Sequence, residues 1–255
     1  MNIILYVFSF LFGTVFASFS GAIIERVPNH QSILTPPSHC PKCNHRILWY
    51  DNIPILSYLV LRGKCRYCKS RIPFSSFVLE CLGGILFLLA SLRYPFSYHL
   101  AFYYPILILM LIISYIDMEH HFIYDACQIV FFVLVGGDLI TSSVLSLSIP
   151  YSNLIGGGCG FAFFFLLHLF GRFVLKKDIL GSGDVILLGI MGLHVGYLGL
   201  VFLLLIASFT GSVIELIKKR IQGSSEIPFA PYLCFGYVIS LLYFPLIYQW
   251  LLEVI

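Results

Sequence analysis

Long apolar runs dominate this sequence: near residues 3–24, 75–92, 101–117, 122–140, 153–171, 183–196, 199–217 and 232–252 it carries little charge. A helix needs about 20 such residues to cross the hydrocarbon core of a bilayer, and somewhat fewer where it is short or ends in aromatics. With 59% hydrophobic and only 11% charged residues, no ordinary soluble domain of 255 residues could cover this much apolar surface. The expectation is an all-α polytopic membrane protein of about eight transmembrane helices. Gly192, Gly196 and Gly199 offer several places for a hairpin between the sixth and seventh runs, so one span fewer is also compatible. The net charge of +3 is too small to argue for a nucleic-acid partner.

The distribution of charge says more than its sum. Arg26, Lys42, Arg46, Arg62, Lys64, Arg66, Lys69 and Arg71 crowd the 26–73 loop. Arg172, Lys176 and Lys177 form a second cluster, and Lys218, Lys219 and Arg220 a third. No Lys or Arg precedes the first run, which argues for a retained span with its N-terminus outside rather than a cleaved signal. Threading eight spans from that start puts all three clusters in the cytoplasm, as the positive-inside rule requires, and leaves only Arg93 outside. The same threading brings Asp117 and Asp184 to the cytoplasmic ends of their helices. The expected division is a first transmembrane helix at 1–25, a cytoplasmic metal-binding loop at 26–74 and a helical membrane core at 75–255.

Four of the eight cysteines fall in two CxxC pairs, Cys40-Pro41-Lys42-Cys43 and Cys65-Arg66-Tyr67-Cys68, separated by 21 residues. Two such knuckles supply four thiolates to one tetrahedral ion, and zinc is the expected metal. Four thiolates leave no open position for water, so the site is structural. A polar loop short of core residues would gain much of its fold from that metal. Disulfides are the alternative, disfavoured in a reducing cytoplasm. His45 lies close enough to compete as a ligand, although such a histidine is more often a bystander. Cys81, Cys127, Cys159 and Cys234 sit in apolar runs as small buried hydrophobes.

Asp184 follows Gly181-Ser182-Gly183 at the head of one apolar run, and Asp117 closes another. A carboxylate against hydrocarbon costs about 2.5–3.5 kcal/mol on insertion scales, so each such acid is a candidate functional group. Singly, each has an ordinary explanation: Asp184 as a helix N-cap, and Asp117 as an interfacial residue beside Met118-Glu119-His120-His121. Together they can share a proton and activate water against a peptide bond. Gly181 and Gly183 clear side chains from beside Asp184, leaving room for a substrate backbone or the second acid.

GSGD ahead of an apolar helix resembles the GxGD signature of intramembrane-type aspartic proteases, and CPKC with CRYC resembles the cysteine pairs of bacterial type IV prepilin peptidases. Other segments are similar to that family in the same order. Ala17-Ser18-Phe19 through Arg26-Val27-Pro28 resembles its GSFLNVVIYRLP stretch, and Tyr50-Asp51-Asn52-Ile53-Pro54-Ile55-Leu56-Ser57 its WxxNIPxxS segment. Ile116-Asp117 through Ile123-Tyr124-Asp125 resembles its D-x5-IPD motif, and Ile227-Pro228-Phe229-Ala230-Pro231 its IPFGP.

The resemblance implies a membrane-embedded aspartic endopeptidase of the bacterial cytoplasmic membrane. Its substrates would be prepilins or pseudopilins, cut on the cytoplasmic side after a Gly that separates a basic leader from a hydrophobic helix. Asp117 and Asp184 match the two catalytic aspartates, Asp125 a supporting acid, and Glu80 an intramembrane Glu after the metal loop. Glu80 would hold a substrate amine or pair with a polar neighbour. Many members also methylate the new N-terminus with S-adenosylmethionine, but here Ser20 and Gly21 replace the Leu and Asn of the first-span motif. Tyr124 and Ala230 are further departures, reminiscent of the Gram-positive, competence-type branch. The residues alone leave two rivals: an ion- or proton-coupled transporter using Asp117, Asp184 and Glu80, or a non-catalytic pilus-assembly scaffold.

Overall fold

The computed structural model describes residues 2–254 except 34, 36, 149, 177–180 and 223–227. Helices α1 (Asn2–Arg26), α2 (Leu56–Val60), α3 (Phe74–Arg93), α4 (Leu100–His120), α5 (Asp125–Ser146), α6 (Tyr151–Phe170), α7 (Ser182–Gln222) and α8 (Ala230–Val254) account for most of the chain, and no strand occurs among the described residues. Seven of these helices are long and apolar enough to cross a membrane, and the exception is α2. The chain divides into two compact units, Met1–Ile112 and Ile113–Ile255.

In the first unit, α1 and α3 meet through small residues. Gly13 and Ala17 face Gly83, and Gly84 takes up Phe10 and Thr14, at a spacing that no larger side chain would permit. Close approach of backbones is how helices gain dispersion contacts in lipid, which is itself as apolar as their side chains. The start of α4 joins through Tyr104. Its ring stacks on Phe87 at 4.2 Å, and its hydroxyl lies 2.9 Å from Ser9 Oγ and 2.6 Å from Ser91 Oγ.

In the second unit, α7 resolves the count of spans. Its membrane segment Ser182–Arg220 has 39 residues. Straight, it would measure about 58 Å at a rise of ~1.5 Å per residue, nearly twice the hydrocarbon core of ~30 Å. It is not straight: Gly196 has φ 75 and ψ 175, a conformation that interrupts the helix and suits glycine. A methyl group built on Gly160 of α6 would lie 3.2 Å from the Leu188 carbonyl oxygen and 3.0 Å from Leu200 Cδ2. Residues 188 and 200 can share one neighbour only if the two arms fold back on each other. The expected sixth and seventh runs are thus the two arms of one hairpin. The small residues Gly156 and Gly192 make their carbonyl contacts beside its turn.

Beside that turn lies a buried polar cluster. Asp138 Oδ2 lies 3.2 Å from His194 Nε2, His194 Nδ1 lies 2.5 Å from the Tyr237 hydroxyl, and Asn153 Nδ2 donates to the His194 carbonyl at 2.7 Å. Asp138 is an acid within the fourth apolar run that charge counting did not single out. Of the cysteines expected to be buried, Cys234 is, Cys81 and Cys127 are partly so, and Cys159 is exposed on α6. In a membrane helix an apolar side chain is equally at home facing outward, because the lipid is its solvent.

Candidate active site

Asp117 lies in the last turn of α4 and is only 6% exposed, packed within the protein rather than facing out. Its Oδ2 accepts a hydrogen bond of 3.1 Å from the backbone N–H of Ala230, the first residue of α8. The first N–H groups of a helix have no partner within it and carry partial positive charge, which suits a carboxyl.

Asp184 is in the first turn of α7 rather than at its cap. The helix begins at Ser182, and the Asp184 N–H donates to the Gly181 carbonyl at 3.2 Å. A methyl group on Gly181 would lie 3.2 Å from Asp184 Oδ2. One on Gly183 would lie 3.2 Å from Gln128 Nε2 and 3.3 Å from Ile123 Cβ. The first glycine leaves space beside the carboxyl, and the second seats the loop against α5. Asp117 at the end of α4 and Asp184 at the head of α7 influence each other electrostatically.

Gln128 was not foreseen. It is 4% exposed, and its Nε2 donates to the Gly183 carbonyl at 3.0 Å, holding the GSGD segment from α5. Only its place three residues after Asp125 could have signalled it, on the inward side of the same helix. Asp125 itself is exposed in the first turn of α5. Glu80 belongs to the first unit, where Ser18 Oγ donates to its Oε1 at 2.8 Å and the Ile55 N–H to its Oε2 at 2.7 Å. Both carboxylate oxygens are therefore engaged, tying α1 and the start of α2 to α3.

The four loop cysteines converge. All four Sγ atoms lie within 4.8 Å of one another, none is in a disulfide, and Cys40 Sγ to Cys68 Sγ is 3.7 Å. A tetrahedron with zinc–sulfur bonds of ~2.3 Å has edges of about 3.8 Å. The two knuckles are copies of one another, a repeat that sequence inspection missed. In each, the first cysteine N–H bonds to the carbonyl five residues on, at 3.0 Å (Cys40 to His45) and 2.8 Å (Cys65 to Ser70). The residue after the second cysteine takes a positive φ in both, Asn44 at 54 and Lys69 at 59. The bridges His39–Arg46 and Lys64–Arg71 close them at equal offsets. Ser70 Oγ lies 3.5 Å from Cys40 Sγ and 3.1 Å from Cys68 Sγ, and that hydroxyl is the main reason both thiols ionise more readily than usual, Cys40 at about 6. The arrangement fits a thiolate-bound metal. Arg66 anchors the second knuckle to Asp51, with Nε–Oδ2 at 2.8 Å, and holds that carboxyl below its ordinary range.

Fold and site together define a multi-pass helical membrane protein with an acid pair where α4, α7 and α8 meet, and a four-thiol loop between its first two spans. Comparison with known proteins narrows the class. The Bacterial Peptidase A24 N-terminal domain matches residues 11–94, and the Type IV leader peptidase family matches residues 104–216. A prepilin leader peptidase/N-methyltransferase of Myxococcus xanthus is 33% identical over 217 residues, 85% of this chain and 64% of that protein. A type 4 prepilin-like proteins leader peptide-processing enzyme of Escherichia coli is 33% identical over 240 residues, 92% of this chain and 86% of the relative. A prepilin leader peptidase/N-methyltransferase of Bacillus subtilis is 29% identical over 238 residues, 92% of each. The chain spans less than two thirds of the Myxococcus xanthus relative. No solved structure matches. This chain belongs to the type IV leader peptidase family.

Proposed function

We propose that this chain is an aspartic endopeptidase of the bacterial cytoplasmic membrane that removes the leader peptide of type IV prepilins or pseudopilins. What supports the reading is Asp117 at the end of α4, held by the Ala230 N–H of α8, together with Asp184 in the GSGD turn that opens α7, in a chain of this family. One carboxylate takes a proton from water, whose oxygen attacks the scissile carbonyl carbon. The other, protonated, gives its proton to the carbonyl oxygen. Collapse of the tetrahedral intermediate breaks the carbon–nitrogen bond, and the leaving amine takes up a proton. The Ala230 N–H fixes one oxygen of Asp117, and the space at Gly181 leaves Asp184 accessible to a substrate backbone. The pair titrates as a unit, so neither acid carries a fixed role.

Cys40, Cys43, Cys65 and Cys68 would hold a structural zinc ion, which when bound cross-links the two knuckles and takes no part in hydrolysis. Ser20, Gly21 and Glu80 are the residues of this chain that bear on S-adenosylmethionine. The Ser20 hydroxyl is buried and donates to the Ala17 carbonyl, a methyl group on Gly21 would make only an ordinary 3.7 Å contact with Leu79, and Glu80 accepts one hydrogen bond on each oxygen, leaving lone pairs for a further donor. Methylation of the new N-terminus from S-adenosylmethionine therefore stays part of this reading, supported by the name prepilin leader peptidase/N-methyltransferase of the Myxococcus xanthus and Bacillus subtilis relatives.

The test is cleavage in detergent of a prepilin-like peptide with a Gly–Phe junction, comparing wild type with Asp117→Asn and Asp184→Asn. Each substitution is expected to lower kcat by about a thousandfold or more. Cleavage persisting in both variants would overturn the acid pair. Absence of cleavage by the wild type would return the transporter or scaffold readings.

A further inference from the structure

An apolar groove of about 490 Å³ runs along the second unit between α5, α6 and the first arm of α7. We propose that it seats one face of an apolar helix of the membrane-embedded substrate, which enters sideways from the bilayer with its scissile end at the acid pair. This rests on the peptidase reading above and adds where the substrate's membrane helix lies.

Three observations point to that occupant. The groove is continuous with the candidate active site: Gln128 lines it and holds the Gly183 carbonyl, and Ile186, two residues beyond Asp184, also lines it. It is open to the hydrocarbon rather than to water, since its wall residues Ile129 and Phe132 are 64% and 56% exposed on the outside of α5. A helix arriving from the lipid therefore exchanges one apolar neighbour for another and gains packing. Its floor, in turn, leaves room for a helix face. Gly157 and Gly189 bring α6 and α7 close together, against Leu193 and Phe161, and Gly158 beside them opens onto free space where another helix can approach.

Charge at the rim agrees. Among the described residues Asp125 is the only ionisable group lining the groove, and it lies at the end nearest the acids. Membrane helices carry Lys and Arg just beyond their cytoplasmic ends. A substrate helix lying in the groove would place those cations against Asp125 and the first peptide bonds outside its apolar stretch near Asp184. Of the alternatives, an acyl chain explains the apolar wall but neither the acid at the rim nor the junction with GSGD. The volume lies within the ~300–1,000 Å³ of ordinary ligand pockets, enough for several side chains of one helix face and not for a whole helix.

Gly158 gives a selective probe, because a methyl group built there meets nothing within 4 Å. Gly158→Phe should fill the groove without displacing its walls. With a substrate that retains its apolar helix, the variant is expected to raise KM by about tenfold or more while kcat falls by less than about twofold, at wild-type thermal stability. Gly158→Ala should lie between. A second readout is independent of catalysis: a benzophenone placed in the substrate's apolar helix is photo-cross-linked to the Asp184→Asn protein. Adducts are expected on Ile129, Phe132 or Phe161. Unchanged KM in Gly158→Phe, or adducts confined to other helices or to a second copy of the chain, would overturn the docking site and leave lipid as the occupant. Adducts in the groove without wild-type cleavage would instead sink the peptidase reading and leave the docking site standing.

Discussion

At the scale of single residues, the site rests on a contact that no local pattern announces. Asp117 and Asp184 are legible because acids stand out at the ends of apolar runs. Gln128 is not, because a lone amide in such a run can satisfy itself in many ways, and its partner is a carbonyl 55 residues away. Asp138 is the reverse case: an intramembrane acid that insertion cost alone would make functional, yet buried against His194 beside the Gly196 turn. Gln128 holds the carbonyl of Gly183, the residue immediately before Asp184. An ordinary hydrogen bond contributes about 1 kcal/mol to stability, but small misplacements of reacting groups can cost about a hundredfold in rate. Gln128→Ala is therefore expected to lower kcat by about ten- to a hundredfold, with KM within about twofold and little change in thermal stability. Gly183→Ala, forcing a methyl 3.2 Å from the same amide, should show the same split. A loss that followed only the folded fraction would make Gln128 a packing residue instead.

At the scale of elements, the cysteine loop shows what spacing conveys and what it hides. Two CxxC pairs announce a four-thiol site, whereas the identity of the two knuckles lies in backbone bonds and in the positive φ of Asn44 and Lys69, residues with no sequence in common. Between α1 and α3 the described residues form only the short helix α2 and a 3-10 turn, so the loop has little core of its own. Metal should supply the missing cohesion; apparent binding energies of structural zinc in small peptides run to about 10–16 kcal/mol near neutral pH. We expect purified protein to carry one zinc ion per chain and to lose it in Cys68→Ser. Before chelation the loop thiols should resist alkylation, and after it all four should react. Protein free of metal whose thiols are linked in pairs as disulfides would refute the site. Because Cys43 and Cys68 are exposed in this fold, slow alkylation of the native protein would have to come from metal coordination rather than burial.

At the scale of the whole molecule, topology turns on one glycine. The number of apolar runs was legible in the sequence, but whether 183–196 and 199–217 make one crossing or two depends on backbone geometry at Gly196, which periodicity does not record. The difference is one of parity. If α7 were straight, Asp184 and the Lys218-Lys219-Arg220 cluster would face opposite sides of the membrane. One basic segment would then lie outside, against the positive-inside rule. Folded back, its first and last residues share a side, and Tyr197, half exposed beside the turn, marks the other. The hairpin predicts a labelling pattern in intact cells treated with a membrane-impermeant maleimide. Tyr197→Cys should label from outside. Lys219→Cys should label only after permeabilisation, and the native loop cysteines, once chelator has been added, are expected to follow the same pattern. Labelling of Lys219→Cys in intact cells would mean that α7 crosses once and would detach the positive charge from the side on which Asp184 lies.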